Sequence, residues 1–338
     1  MAREHVRKNM SIGVGLEVTP GTEVAPTTFF PFMGDMGLKV GKGWLTRDDE
    51  AFGIIDAYPP DGGRVTIDGV PLNFKLNPEV GMFPIYAVLG KVTSVQQGST
   101  IAYKHTFETT DQDALPPSFT WEVDDTVDYL RANTMRMSDL KLTFDASGHV
   151  IANTTWGGSI ARKIDEGDVT IPAYSAIRLY KFDDVLIKVG DRQTFANQVT
   201  YSQIESMDIN LNRPVTPVPT FNRQAYNTKF ALETGRQSTG NQFVLRFIDS
   251  TMRDLQWSST TQPDSGAEYK SLEVQFVGDQ IGTTGYYYTT RLLFPLILIS
   301  DHAISGESLI ETVTFDTFYD PLAGYFMQGE ITNTKTSI

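Results

Sequence analysis

The feature that most limits what this chain can fold into is a weak internal repeat. Residues 171 positions apart share the same apolar alternation, and a repeat at half-chain spacing means one structural unit used twice. Met36, Leu38 and Val40 fall on Met207, Ile209 and Leu211, apolar at every second position as a half-buried strand requires. Thr143-Phe144-Asp145 falls on Thr314-Phe315-Asp316. The stretch Pro71 to Pro78 falls on Gln242 to Asp249, a strand followed by a helix start. In the first copy Asn77 is placed to cap a helix with Pro78 at its first position, and Asp249-Ser250 offers the same chemistry in the second. Val80, Phe83, Ala87 and Val88 give the first helix an apolar stripe, ending at Gly90, with Pro84 expected to delay or kink it; Met252 and Leu255 face the core in the second.

Elsewhere the pattern is short alternating strands. Phe119, Trp121 and Val123 alternate with Thr120, Glu122 and Asp124, and Leu272, Val274 and Phe276 alternate with Glu273 and Gln275, a match that needs a gap. The expected fold is mainly β: two tandem β-sandwich or barrel domains, each packed by one α-helix. The expected domains are residues 1–165 and 173–338, divided near Asp165 to Pro172, where charge, glycine and proline break the pattern. A length of 338 residues agrees with two cores.

Composition narrows the chemistry. With no cysteine, disulfides, thiolate nucleophiles and Cys-based metal sites are excluded together. The polar, basic start lacks the apolar core of a signal peptide, and the longest apolar run, Leu292 to Ile299, is far short of the roughly 20 residues that span a bilayer, so no membrane segment is expected. Lys plus Arg number 28 and Asp plus Glu 41, a net charge of −13, which opposes a protein that grips nucleic acid through its phosphates. His5, His105, His149 and His302 are scattered outside any metal-ligand spacing, and Gly13-Val14-Gly15 lacks the third glycine of a dinucleotide loop. Neighbouring carboxylates such as Asp124 and Asp125 point to opposite faces of a strand, poor geometry for an acid/base pair. Neither an enzyme nor a cofactor is expected.

The run from Ser11 to Thr28, with Arg47-Asp48-Asp49-Glu50, Pro60 to Gly63, Tyr103 to Phe107, Ser118 to Asp124 and Leu140 to Gly148 in that order, resembles the tail tube proteins of long non-contractile-tailed bacteriophages. The resemblance implies a structural virion protein made in the host cytoplasm. Its rings stack into the hollow tail through which genomic DNA passes, with the tape measure, terminator and distal tail proteins as further partners. If six tube units close a ring, three chains of two units suffice. Under that reading Glu122, Asp124 and Glu273 are candidates for an acidic channel lining. The segment from Leu45 to Gly62, with Arg47, Asp48, Asp49, Glu50, Asp56 and Asp61, carries a net −4. Its counterpart from Thr216 to Glu233, with Arg223 and Lys229, carries +1, and the pair are candidate docking loops between subunits or rings. The N-terminal arm with Arg3, Arg7 and Lys8, and the tail from Thr332 to Ile338, are expected to order only against a neighbouring ring, or to fray. The alternative function is a β-sandwich virion module that binds a receptor or carbohydrate, for which Tyr286, Tyr287 and Tyr288 are the one exposed aromatic cluster to consider.

Overall fold

The computed structural model describes residues 10–34, 38, 40–45, 59–109, 114–170, 172–195, 198–219, 221, 226, 229–232, 235–247, 249–262, 265–266, 268–306 and 309–338. It is mainly β. In the first half the elements are β1 (Ser11–Leu16), β2 (Thr28–Phe30), β3 (Phe32–Met33), β4 (Val40–Leu45), β5 (Asp61–Lys75), α1 (Met82–Leu89), β6 (Gly90–Gln96), β7 (Tyr103–Thr109), β8 (Phe119–Asp124), β9 (Tyr129–Asp145), β10 (Ile151–Gly158) and β11 (Ile160–Lys163). The second half contributes β12 (Val185–Asp191), β13 (Val199–Thr200), β14 (Ile204–Asn212), β15 (Val215–Val218), β16 (Lys229–Leu232), β17 (Ser238–Arg246), α2 (Thr251–Trp257), β18 (Lys270–Gln280), β19 (Tyr287–Ser305), β20 (Ile310–Thr317) and β21 (Gln328–Asn333).

The same pairing order occurs twice. In the first half β4 pairs with β5, β5 with β10, β10 with β9, β9 with β8 and β8 with β1. In the second, β14 pairs with β17, β17 with β20, β20 with β19, β19 with β18 and β18 with β12. The registers match as well. Gly41 lies opposite Thr66 and Asn212 opposite Gln237, both members displaced by 171. Thr154 sits between Leu72 and Leu140 as Val313 sits between Phe243 and His302. The ladder irregularity before Trp156 recurs before Phe315, and the one between Phe119 and Trp121 recurs between Lys270 and Leu272.

The ungapped spacing of 171 survives only as far as the helices. The first half inserts the hairpin β6–β7 between α1 and β8, where the second half runs almost directly from α2 to β18, so later counterparts lie closer together. Leu72 and Phe74 against Phe243 and Leu245 remain a true match, all four buried. Thr143 to Asp145 against Thr314 to Asp316 does not: the first triplet is on β9 and the second on β20, which hold different places in the order.

Two strand pairings bridge the halves, β9 with β14 and β7 with β21. Residues 139–145 of β9 pair with residues 206–212 of β14, producing a continuous ladder from β4 through β5, β10, β9, β14, β17 and β20 to β19. Its inner face supplies the core: Leu72, Phe74, Leu140, Leu142, Ile209, Leu211, Phe243, Val313 and Phe315 are all buried. Phe144 of β9 meets Phe276 of β18 edge-on at 5.4 Å, and the halves therefore share apolar contacts. The C-terminus of α1 is held from the other half, where Arg236 donates to the carbonyls of Val88 and Leu89 and Arg213 donates to Val88. Burial, then the like charges of Arg236 and Arg136, depresses Arg213 to about 9.

Each helix packs on the corresponding long strand, α1 on β9 and α2 on β19. Asn77 Oδ1 accepts the backbone N–H groups of Glu79 and Val80, forming a turn that delays the regular helix to Met82. Pro84 then stands in the first turn, where its missing donor costs nothing, and it does not break the helix. Gly90 ends α1 in the left-handed region at φ 89°, which glycine adopts without a Cβ clash. The C-terminal tail departs from expectation. Thr332 and Asn333 belong to β21, which lies between β19 and β7 of the same chain, and Ile338 packs on the core. Asn333 is fully buried, bonding His105 and the carbonyl of Pro78.

Candidate assembly and channel surfaces

The outer face of the continuous ladder is the most distinctive surface. Because side chains alternate along each strand, burying Leu140, Leu142 and Phe144 turns Asp139, Lys141, Thr143 and Asp145 outward. Across neighbouring strands the same rule turns to this side Asn73 and Lys75, Asn153 and Thr155, Asp208 and Asn210, Gln242, and Thr312, Thr314 and Asp316, all half-buried in the chain. Pro71, Asn73, Lys141, Asn153, Thr155, Asn210 and Asn212 line a shallow polar groove on this face. Its chemistry is amide and hydroxyl, with carboxylates in excess. Asp139, Asp145, Asp208, Asp301 and Asp316 stand against Lys75, Lys141 and Arg246, and two of those cations are already paired, Lys141 with Asp208 at 2.9 Å and Arg246 with Glu205 at 2.7 Å. Hydrogen bonds from the hydroxyl and backbone N–H of Ser147 hold the Asp145 carboxyl below its usual range, so it stays ionised at neutral pH.

Glu122 and Glu273 are not on that face. The two occupy the same place in the repeated pairing, each on the strand that joins the long strand to the first strand of its half. They are 3% and 1% exposed. Arg131 and the backbone N–H of Thr170 bind Glu122 at 2.6 Å each; Arg291 and Lys188 bind Glu273 at 3.0 and 3.3 Å. Both carboxylates are paired and buried. Alternation alone could not distinguish them from solvated residues, because the cationic partners come from other strands. Asp124, half-buried at the end of β8, accepts the N–H of Thr126 at 2.8 Å in a turn.

Of the candidate docking loops, Asp61 begins β5 and Lys229 begins β16, both exposed. Residues 215–218 and 229–232 form a two-stranded ladder of their own. Tyr226 bridges to Val65 and its carbonyl accepts from Arg64 of the first half. Arg47, Asp48, Asp49, Glu50, Asp56 and Arg223, with Arg3, Arg7 and Lys8 of the arm, lie outside the described residues.

The remaining motifs have structural explanations. Gly13 and Gly15 are where Pro26, Phe29 and the carbonyl of Ala25 pack against β1; an added Cβ would come within 2.7 Å of a neighbouring atom at each. Buried His105 contacts Ser94 and Asn333, and burial lowers its pKa. His302 contacts Glu311 at 2.5 Å, and Tyr287 opens β19 opposite Gln280. Among the described residues no cluster of three or more potential ligands could hold a metal, and no helix is long and apolar enough to cross a membrane.

Residues 8–317 match the family model of the phage tail tube protein. The chain belongs to that family. It is therefore a structural component of the phage tail, and the family is one of non-enzymatic proteins. No curated relative matches the chain.

Proposed function

We propose that this tail tube protein carries two copies of one tube unit, residues 1–165 and 173–338, and that three chains close a ring of six units whose stacking encloses the DNA channel. The repeated pairing order with matching registers is the observation that supports the duplication. A continuous ladder crossing from one unit to the next has the form a ring wall needs, because sheet continuation leaves no interior edge unsatisfied.

In this reading the polar outer face of the ladder lines the channel. Duplex DNA carries one charge per roughly 1.7 Å, and a wall of asparagine, threonine and excess aspartate offers it few cations to hold. The lining considered first for Glu122, Asp124 and Glu273 passes to Asp139, Asp145, Asp208, Asp301 and Asp316. The acidic segment containing Asp48, Asp49, Glu50, Asp56 and Asp61 and the hairpin containing Arg223 and Lys229 serve as contacts between subunits or rings, with the arm bearing Arg3, Arg7 and Lys8 reaching the neighbouring ring. Partners at the ends and inside the tube are the terminator, distal tail and tape measure proteins. A ring is wide enough for one duplex and binds it without sequence preference.

Electron microscopy of the assembled protein tests this. The expected result is a tube with a central channel and three chains per ring; six chains per ring, or a solid filament, would refute it. The family match favours the tube reading over the β-sandwich binding module, although Tyr286 and Tyr287 are exposed on β19 and the turn before it.

A further inference from the structure

A buried cation without an acceptor stands between the two halves. Arg136, on β9, is 3% exposed, and its Nε has no hydrogen-bond partner. Among the described residues no carbonyl or carboxylate accepts a bond from its guanidinium, whose close neighbour is the face of Phe230, 5.5 Å from the ring centroid. Burial pushes Arg136 down to about 10, against the field of Glu17, so it remains charged at neutral pH. Glu17 does not pair with it directly. Its Oε1 accepts the Thr120 hydroxyl at 3.0 Å and the Thr134 N–H at 2.8 Å, and its Oε2 accepts the Gly21 N–H at 2.8 Å. A charge enclosed in this way is costly unless an acceptor meets it.

Arg136 lines a cleft of about 490 Å³ between the first half and the β15–β16 hairpin of the second. Asn133, Thr134 and Ser159 come from the first half, Lys229 and Phe230 from the hairpin, and no Asp or Glu is among the described lining residues. Lys229 is exposed and makes no ion pair among the described residues. The Thr134 hydroxyl has one long bond, 3.5 Å to Asn133, and so keeps most of its capacity to donate. Thr134 also holds φ 56°, a region β-branched residues rarely enter, where the β8–β9 ladder shifts register. A third cation, Arg213, lies within the field of Arg136.

We propose that this cleft is a binding site for an oxyanion of the phosphate class, gripped by the Arg136 guanidinium, with Lys229 and the Thr134 hydroxyl as further donors. The planar guanidinium fork matches the paired oxygens of an oxyanion, a match that chloride cannot make. Bound there, the ion supplies the acceptors that the described chain does not, offsets the repulsion between Arg136 and Arg213, and ties the hairpin of the second half to β9 of the first. The site does not depend on how copies assemble.

Isothermal titration calorimetry of the full, dispersed chain with inorganic phosphate, at an ionic strength held constant with chloride, tests the site. One ion should bind per chain and sulfate should displace it. At a phosphate concentration a hundredfold above Kd the melting temperature should rise by about 4 °C. Arg136→Gln should abolish both the heat and the melting shift, and Lys229→Gln, an exposed change, should weaken Kd by about threefold to fivefold. A melting shift that chloride reproduces, or phosphate binding that Arg136→Gln leaves intact, would overturn the site. If Arg136→Gln does not fold, Lys229→Gln decides, and an unaltered Kd there overturns it. Glycerol phosphate titrated in parallel separates two sources of the same oxygens: binding at least as tight as phosphate assigns the cleft to phosphate esters, weaker binding assigns it to the free ion, and binding of neither overturns the site. Because the dispersed chain is measured, a negative result leaves the tube reading standing.

Discussion

Leu211 and Val40 occupy the same position of the two repeated units, and truncating each to alanine separates folding from assembly. Leu211 is fully buried opposite Leu140 at the internal junction. Removing its isobutyl carbons loses their transfer energy and leaves a space that a ladder fixed on both sides cannot collapse, a cost of about 3 kcal/mol. With 338 residues and an unfolding entropy of roughly 2.1 cal/mol/K per residue, the entropy at the midpoint is about 0.7 kcal/mol/K, and the variant should melt about 4 °C lower. Val40 is half-exposed in the single chain, so its truncation should cost about 0.5 kcal/mol or less there, a shift below about 1 °C. If a neighbouring copy covers Val40, the remaining cost appears on assembly, where about 1 kcal/mol raises the concentration for half-assembly roughly fivefold. Thermal unfolding of the dispersed chain by circular dichroism, followed by light scattering across a concentration series, measures both. Val40→Ala melting as far below wild type as Leu211→Ala, with assembly unchanged, would refute the reasoning.

Asp320 accepts a paired bond from Arg192, with further bonds from Gln193, Leu322 and Ala323, and these hold its carboxyl well below the usual range. A depressed folded pKa stabilises the fold above the unfolded value of about 3.9 and loses that contribution as the pH falls through it and below. Asp320→Asn should therefore cost about 2 kcal/mol at pH 7, and its melting deficit should shrink between about pH 5 and 3; a deficit independent of pH would contradict this. Gly13→Ala drives a methyl group to within 2.7 Å of the Phe29 ring and should destabilise the chain by about 1–3 kcal/mol in chemical denaturation, with an unchanged midpoint as the contrary result. Reversing Asp48, Asp49 and Glu50 to lysine should slow tube growth at low salt and have less effect at high salt, measured by turbidity; growth indifferent to both charge and salt would remove the docking role.

Much of the fold could be read from residue order. Alternation located the strands around Trp121, Ile209 and Val274, and Asn77, Gly90 and Asp249-Ser250 marked the two helices, because periodicity and capping are local properties. The first half of the repeat was visible at a spacing of 171 because no insertion separates β4 from β5 and α1 relative to their counterparts. Beyond the β6–β7 hairpin the spacing changes, and a rigid comparison aligned β9 with β20.

By itself the sequence determined a mainly β chain, without thiol chemistry, net acidic and with its apolar residues in strand register. Only the tertiary structure decided which carboxylates reach solvent. Glu122 and Glu273 read like any outward strand residue until cations brought in from β9, β12 and β19 enclose them, whereas Asp139 and Asp208 acquire a common face only when β9 and β14 pair across the two halves. Which edges are satisfied is also a tertiary fact, because a strand's second neighbour is set by packing between distant segments and leaves no mark on its own residues.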